Sequence, residues 1–259
     1  GVDPTDEVTK ESQSRSFSDY TQFLDARGLQ GARVGVARDY FGVHEKVDAL
    51  MEDAIDAMRR HGATIIDPAD IPTKDDIRAP QIEVVSYELK SDIDAYLSNL
   101  GATVRSLKDL IAFNEQNAEA EMPHFGQELF LAAEERGPLT SPKYREALES
   151  TRRLSREEGI DAVLSAHRLD AIIAPTDGPP WLIDLITGDH RLRGSSTPAA
   201  VSGYTSITVP AGYVSGLPVG ISFFAGAYSE PTLIKIAYAF EQATSHRKPP
   251  RFLATADLG

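Results

Sequence analysis

Between Gly203 and Phe224 the chain reads Gly-Tyr-Thr-Ser-Ile-Thr-Val-Pro-Ala-Gly-Tyr-Val-Ser-Gly-Leu-Pro-Val-Gly-Ile-Ser-Phe-Phe. Two β-rich runs, Thr205 to Val209 and Val219 to Phe224, flank a connection that carries Pro210, Gly212, Gly216 and Pro218. Proline has no N–H to give a sheet ladder, so Pro210 is expected to close the first run. Gly216 supplies the permissive backbone a turn needs, and Pro218 fixes φ just before the second run. Ile207, Val209, Val219, Ile221 and Phe223 recur at period two, which turns one face of both runs into a core. The pattern alone therefore predicts two neighbouring strands in a buried hairpin, with no chemistry of their own.

The rest of the chain alternates strand and helix patterns around this pair. Gly31 to Ala37 alternates Val34 and Val36 with Arg33 and Gly35, the mark of a short strand. Val47 to His61 places Val47, Leu50, Met51, Ala54, Ile55 and Met58 on one helical stripe, stopped by Gly62. Ala63 to Asp67 reads as a second strand, so the three together predict a βαβ unit with a parallel pair. From Ala79 to Arg136 the period becomes helical, with one stripe at Val84, Val85, Leu89, Ile93 and Leu97. A second stripe at Leu107, Leu110, Ile111 and Asn114 follows Ser106 as N-cap. Ser141-Pro142 starts a long helix towards Gly159, whose Arg152, Arg153 and Arg156 are expected on a solvated charged face. Leu169 to Thr176 is a buried strand ended by Pro175, and Ser229-Glu-Pro-Thr caps a last helix facing inward through Leu233, Ile236, Ala237 and Phe240.

A length of 259 residues suits one large domain or two small ones, and the composition is that of a soluble globular chain. The net charge of −13 argues against nucleic-acid wrapping and anionic membranes, both of which want a basic face. Without cysteine there is no disulfide, thiolate catalysis or Cys-ligated zinc. No apolar run approaches the roughly 18 residues that cross a bilayer, and no signal segment is visible, though one could have stood upstream of Gly1; a cytoplasmic location is the expectation. The chain begins Gly1-Val2-Asp3-Pro4 rather than with Met, and residues 1–16 are polar. A truncated start that opens on a linker or arm is the expectation.

Templates for chemistry fail one after another. There is no Gly-x-Ser-x-Gly elbow, no phosphate-binding glycine loop, and no metal-ligand spacing among the six histidines. Gly194-Ser195-Ser196, followed by Thr197-Pro198, is the one Gly-Ser-Ser; it reads as a helix N-cap rather than a nucleophile. The loop Thr176 to Trp181 follows the carboxyl end of a strand, where open α/β sheets hold ligands. Asp177 and Trp181 are the candidate substrate-binding residues, the carboxylate as an acceptor and the indole as a flat apolar wall; the alternative is that Trp181 packs on the core.

Two segments carry a resemblance. Ser206-Ile-Thr-Val-Pro-Ala-Gly212 and Gly216-Leu-Pro-Val-Gly-Ile-Ser-Phe223 resemble the closing part of the amidase signature family of Ser-cisSer-Lys amide hydrolases. Tyr87-Glu-Leu-Lys90, Tyr96-Leu97, and Phe113-Asn114 through Phe125-Gly-Gln-Glu128 are similar to its peptide-amidase-like branch, and Arg247 to Phe252 resembles the family's ending. The resemblance implies an α/β fold, part of a mixed sheet with helices on both faces, and a single amidase domain of which residues 1–259 are the carboxy-terminal portion. It also implies hydrolysis of linear carboxamides by a serine that passes its proton through a second serine to a neutral lysine, without cofactor or metal. The family's Gly/Ser-rich signature and lysine segment are missing, so no catalytic residue is expected in this chain, which should be inactive alone. The implied partners are a small or peptide amide and the missing amino-terminal half, with no nucleic acid and no membrane. A sheet cut in two would expose an apolar face or a strand edge, which leaves a homo-oligomer open. The alternative reading is a non-catalytic scaffolding module, similar to an amidotransferase A subunit, that works with a partner chain.

Overall fold

The computed structural model describes residues 1–252 of the chain. In chain order its regular elements are β1 (Arg33–Val36), α1 (Glu45–Arg60), β2 (Thr64–Ile66), α2 (Arg78–Ser98), α3 (Leu107–Gln116), α4 (Ala118–Glu121) and α5 (Glu128–Glu134). There follow α6 (Pro142–Ser155), a π-helical turn (Arg156–Ile160), α7 (Asp161–His167), β3 (Ala171–Pro175), α8 (Ser196–Ser202), β4 (Ser206–Val214), β5 (Leu217–Phe224) and α9 (Glu230–Thr244). They form two compact units, one from residues 1–72, 155–182 and 190 onward, the other from Thr73–Leu154 with Ile183–Asp189.

The first unit holds one five-stranded mixed sheet in the order β2-β1-β3-β5-β4. β1 lies parallel to both β2 and β3, so the expected βαβ unit is present. β5 runs antiparallel to β3 and β4 antiparallel to β5, which leaves β2 and β4 at the edges. Period two then decides which helices cover which face. Val34, Val36, Ile173, Ile221 and Phe223 turn one way and bury against Met51, Ile55 and Met58 of α1 and Leu233, Ile236 and Phe240 of α9. Ile172, Ala174 and Phe224 turn the other way and meet Ile160, Val163 of α7 and Ala199 of α8. A fully buried Phe or Ile side chain contributes about 1.5–3 kcal/mol, so both layers are held chiefly by such contacts.

The hairpin differs from its expected outline in one instructive way. Pro210 does not close the first strand: β4 runs on to Val214, with a register shift between Pro210 and Gly212. Because β4 is an edge strand, the missing N–H of Pro210 removes no ladder bond that the sheet needs. The strands are joined through Ser215 and Gly216, both at positive φ (49° and 76°), the combination demanded by the I′ class of two-residue hairpin turn.

Caps are used where serine meets an open helix start. Ser106 Oγ accepts from the Asp109 N–H at 3.1 Å, and Ser141 Oγ from the Tyr144 N–H at 3.3 Å. Ser229 precedes α9, but its hydroxyl makes no cap bond; its own N–H donates to Thr205 Oγ1 at 3.2 Å. Two other expectations are corrected. Val85 is half exposed, and Tyr87 takes its place in the buried stripe beside Val84, against Tyr144. Arg156 leaves the charged face: at the π-helical turn its Nε donates to Ser202 O at 2.8 Å and its guanidinium stacks over Tyr204.

Candidate functional site

β3 is buried throughout and delivers the chain to a sheet end where side chains again meet solvent. Pairing carries one residue beyond the strand, with the Thr176 N–H donating to Gly220 O at 2.9 Å. Asp177 comes next and is half-buried. Its Oδ1 accepts from the Gly178 N–H at 2.8 Å, and its Oδ2 faces Arg191 Nε at 3.4 Å. The returning segment closes on the same strand end, the Ser195 N–H donating to Thr176 O at 3.1 Å.

A cavity of about 10 Å³ beside this end is lined by Tyr40, His44, Pro175, Asp177, Gly178 and Arg193. That is room for a single water, and His44 Nδ1 is buried without a hydrogen-bond partner. Trp181 does not line it; its side chain is 37% exposed, so it is not packed into the core either. The two sequence candidates thus lie on one loop, but only Asp177 belongs to this small cavity. Ser195 occupies the N-cap position of α8, yet makes no cap bond. Its hydroxyl is buried and unpartnered, while Ser196 is exposed.

On the same strand end, sequence reasoning passed over three hydroxyls that converge. Thr176 Oγ1 lies 2.8 Å from Ser222 Oγ and Thr208 Oγ1 lies 2.9 Å from the same atom, with the two threonines 3.3 Å apart. Thr176 follows β3, Ser222 lies on β5 and Thr208 on β4, each a small polar residue on the same face of the sheet. Only the register of β3, β5 and β4 reveals that they meet.

The second unit contains a larger cavity, about 650 Å³, lined by Asn114 and the segment 120–130, including Met122, His124, Phe125 and Phe130. Its size suits a small ligand. Among the described residues no group of three or more His, Asp or Glu is placed to hold a metal ion, and no helix is long and apolar enough to cross a membrane.

This set of polar residues contains no serine–lysine or serine–histidine couple, so the geometry by itself names no reaction. Similarity to known proteins decides the family. Residues 3–234 match the model of the Amidase family. The chain belongs to the amidase family. It is 40% identical to a probable amidase of Arabidopsis thaliana over 98% of its own length and 46% of that protein. It is similar to a peptide amidase solved with the competitive inhibitor chymostatin, at 41% identity and a TM-score of 0.93, covering 97% of this chain and 51% of that one. It is also 26% identical to the glutamyl-tRNA(Gln) amidotransferase A subunit of Clostridium kluyveri, over 94% of this chain and 50% of that protein. The mixed sheet with helices on both faces is the amidase signature fold of the peptide amidase neighbours. The chain spans about half the length of these relatives.

Proposed function

We propose that the chain is the carboxy-terminal portion of an amidase that hydrolyses linear carboxamides to an acid plus ammonia or an amine, with both compact units belonging to one amidase domain. The observation that carries this reading is the alignment: nearly all of the chain matches an amidase, and it matches only half of one. An amide is a poor electrophile, so its hydrolysis needs an activated nucleophile, a proton path to the leaving amine and an oxyanion hole. In this reading a serine, a second serine and a neutral lysine supply the first two, and a glycine-rich loop supplies the N–H donors. The lack of a Gly/Ser-dense segment between Gly1 and Gly259 supports placing these groups, in this reading, outside the chain.

The contribution of this half is then shape. Asp177 sits at the carboxyl end of β3 and offers an acceptor to the substrate amide, and the partly exposed Trp181 offers an apolar wall. The partners in this reading are a small or peptide amide and the amino-terminal half of the same polypeptide, in the cytoplasm. Ammonia release from simple and peptide amides tests it, with this chain assayed beside a form extended at its amino end. Release by the extended form alone supports the reading. Release by this chain alone overturns it and directs attention to Ser195 and Ser196.

The second reading, a non-catalytic module acting with a partner chain, draws on the amidotransferase match. The two separate on the reading frame upstream of Gly1. A Gly/Ser-rich signature with a preceding lysine favours the enzyme, and its absence favours the module.

A further inference from the structure

The open cavity of about 650 Å³ in the second unit is built by one stretch of chain. α3 gives it Asn114, the end of α4 gives Glu121, and the start of α5 gives Glu128 and Phe130. Phe130 packs on the buried cluster of Leu107, Ile111 and Ala133, so this wall is anchored to the unit's core. The amides in the lining spend their bonds inside the protein. Asn114 Nδ2 donates to Gln127 Oε1 at 3.1 Å, and Gln127 Nε2 donates to Ile111 O at 3.2 Å. Much of the remaining lining is hydrocarbon, and Phe125 and Leu129 stay 62% and 78% exposed. Large apolar side chains left open around a concavity mark a binding surface.

Charge separates this cavity from an ordinary apolar cleft. Between Lys108 and Arg136 the chain holds several Asp and Glu residues but no Lys or Arg. Two of these acids, Glu121 and Glu128, line the cavity, where His124 is the only residue able to turn positive. Gly126 makes room for one of them, since a Cβ there would lie 2.5 Å from Glu128 Oε1. Bases elsewhere in the unit are engaged by other acids: Lys90 pairs with Glu134, and Arg136 and Lys143 pair with Glu83.

We propose that this cavity binds an organic cation with an apolar body, of the arylalkylamine or arylalkylguanidine class. The inference does not rest on the amidase reading. Phe125 and Phe130 take the apolar body and offer ring faces to the charge, while Glu121 and Glu128 supply the counter-charge. An acid of the same shape meets two carboxylates with nothing to offset them. A neutral alcohol keeps the apolar contacts and loses the electrostatic part. Carboxylates that serve only to keep a surface wet would make no such distinction between amine and alcohol.

The experiment is a titration of the isotope-labelled 259-residue chain, followed through its backbone amide resonances, with 4-phenylbutylamine, 4-phenylbutanol and 4-phenylbutyrate. It is run at about pH 8, where an ordinary histidine is neutral. The amine is expected to shift Asn114 and residues 121–130 saturably, the alcohol to bind about tenfold more weakly, and the acid about a hundredfold more weakly. Raising the salt from about 20 mM to about 200 mM should weaken the amine severalfold and leave the alcohol unchanged. Glu121→Gln and Glu128→Gln keep the shape of exposed side chains, so the melting temperature should hold while each lowers amine affinity about threefold or more. The double variant should bind amine and alcohol alike. No saturable shift at these residues, equal binding of amine and alcohol by the unaltered chain, or full amine affinity in the folded double variant overturns the inference. The comparison of the three ligands on the unaltered chain stands without any variant, so a substitution that unfolds the unit does not shield the proposal.

Discussion

Arg38 donates from Nε to Asp67 Oδ1 at 2.7 Å and from Nη2 to Asp67 Oδ2 at 2.6 Å, and it also pairs with Glu52. This two-pronged bond holds the Asp67 carboxyl below the usual carboxylate range and raises the guanidinium. A carboxyl depressed by folding stabilises the protein at pH values above its unfolded pKa of about 3.9, and that contribution is lost as the pH falls through the folded value. Arg38→Met is expected to cost about 2 kcal/mol at neutral pH and to flatten the acid limb of an unfolding curve measured between pH 5 and 2. The opposite limb belongs to tyrosine. Burial, and then the bond from Tyr204 Oη to Asp161 at 2.7 Å, push the Tyr204 phenol up to about 12. A raised phenol gives stability that is complete below about pH 10, where unfolded tyrosine begins to ionise, and that is lost as the pH climbs towards the folded value. Unfolding free energies measured from pH 9 to 12 should therefore fall, and less steeply in Tyr204→Phe, which at pH 7 is about 1–2 kcal/mol weaker because Asp161 loses a donor.

The hairpin of β4 and β5 turns on two residues at positive φ, of which Gly216 is the one that a side chain burdens least. Gly216→Val places a β-branched residue at φ 76°, and an equilibrium denaturant titration should show about 1–2 kcal/mol lost. A loss no larger than that of an exposed loop substitution would mean that the turn does not set the register. That turn was legible in the chain as a string of letters, and so was the βαβ unit, because period and punctuation are local properties. The course of β4 past Pro210 was not, since it depends on β4 having no neighbour on its far side. Nor was the hydroxyl cluster, whose members stand 14 to 46 residues apart and share a face only once three strands are in register. At Ser195 the cap position could be read from the sequence but not the use of the hydroxyl, which burial rather than helix propensity decides. Asp177 was placed correctly at a strand end by its neighbours Ala171 to Pro175, whereas nothing in its flanks showed that Trp181 stays outside the small cavity.

At the scale of the whole chain the sheet has an edge that is only partly defended. β4 carries Pro210 and a bulge in its second half, two devices that keep foreign strands away. Its first half, Ser206-Ile-Thr-Val209, has neither a charge nor a proline, and its outward positions Ser206 and Thr208 are exposed. Backbone groups on that side face no strand of the described residues. A chain of this kind is expected to associate through strand pairing as its concentration rises, despite a net charge of −13 that opposes close approach. Sedimentation velocity across a concentration series should show a reversible larger species for the 259-residue chain, and Ser206→Lys should suppress it by placing a charge on the open edge. If the amidase reading is right, the form extended at its amino end supplies its own cover for β4 and stays monomeric over the same range without the lysine. A 259-residue chain that remains a monodisperse monomer and binds no hydrophobic dye would show the edge to be closed in solution, and would remove the reason for thinking that this half needs another to complete its sheet.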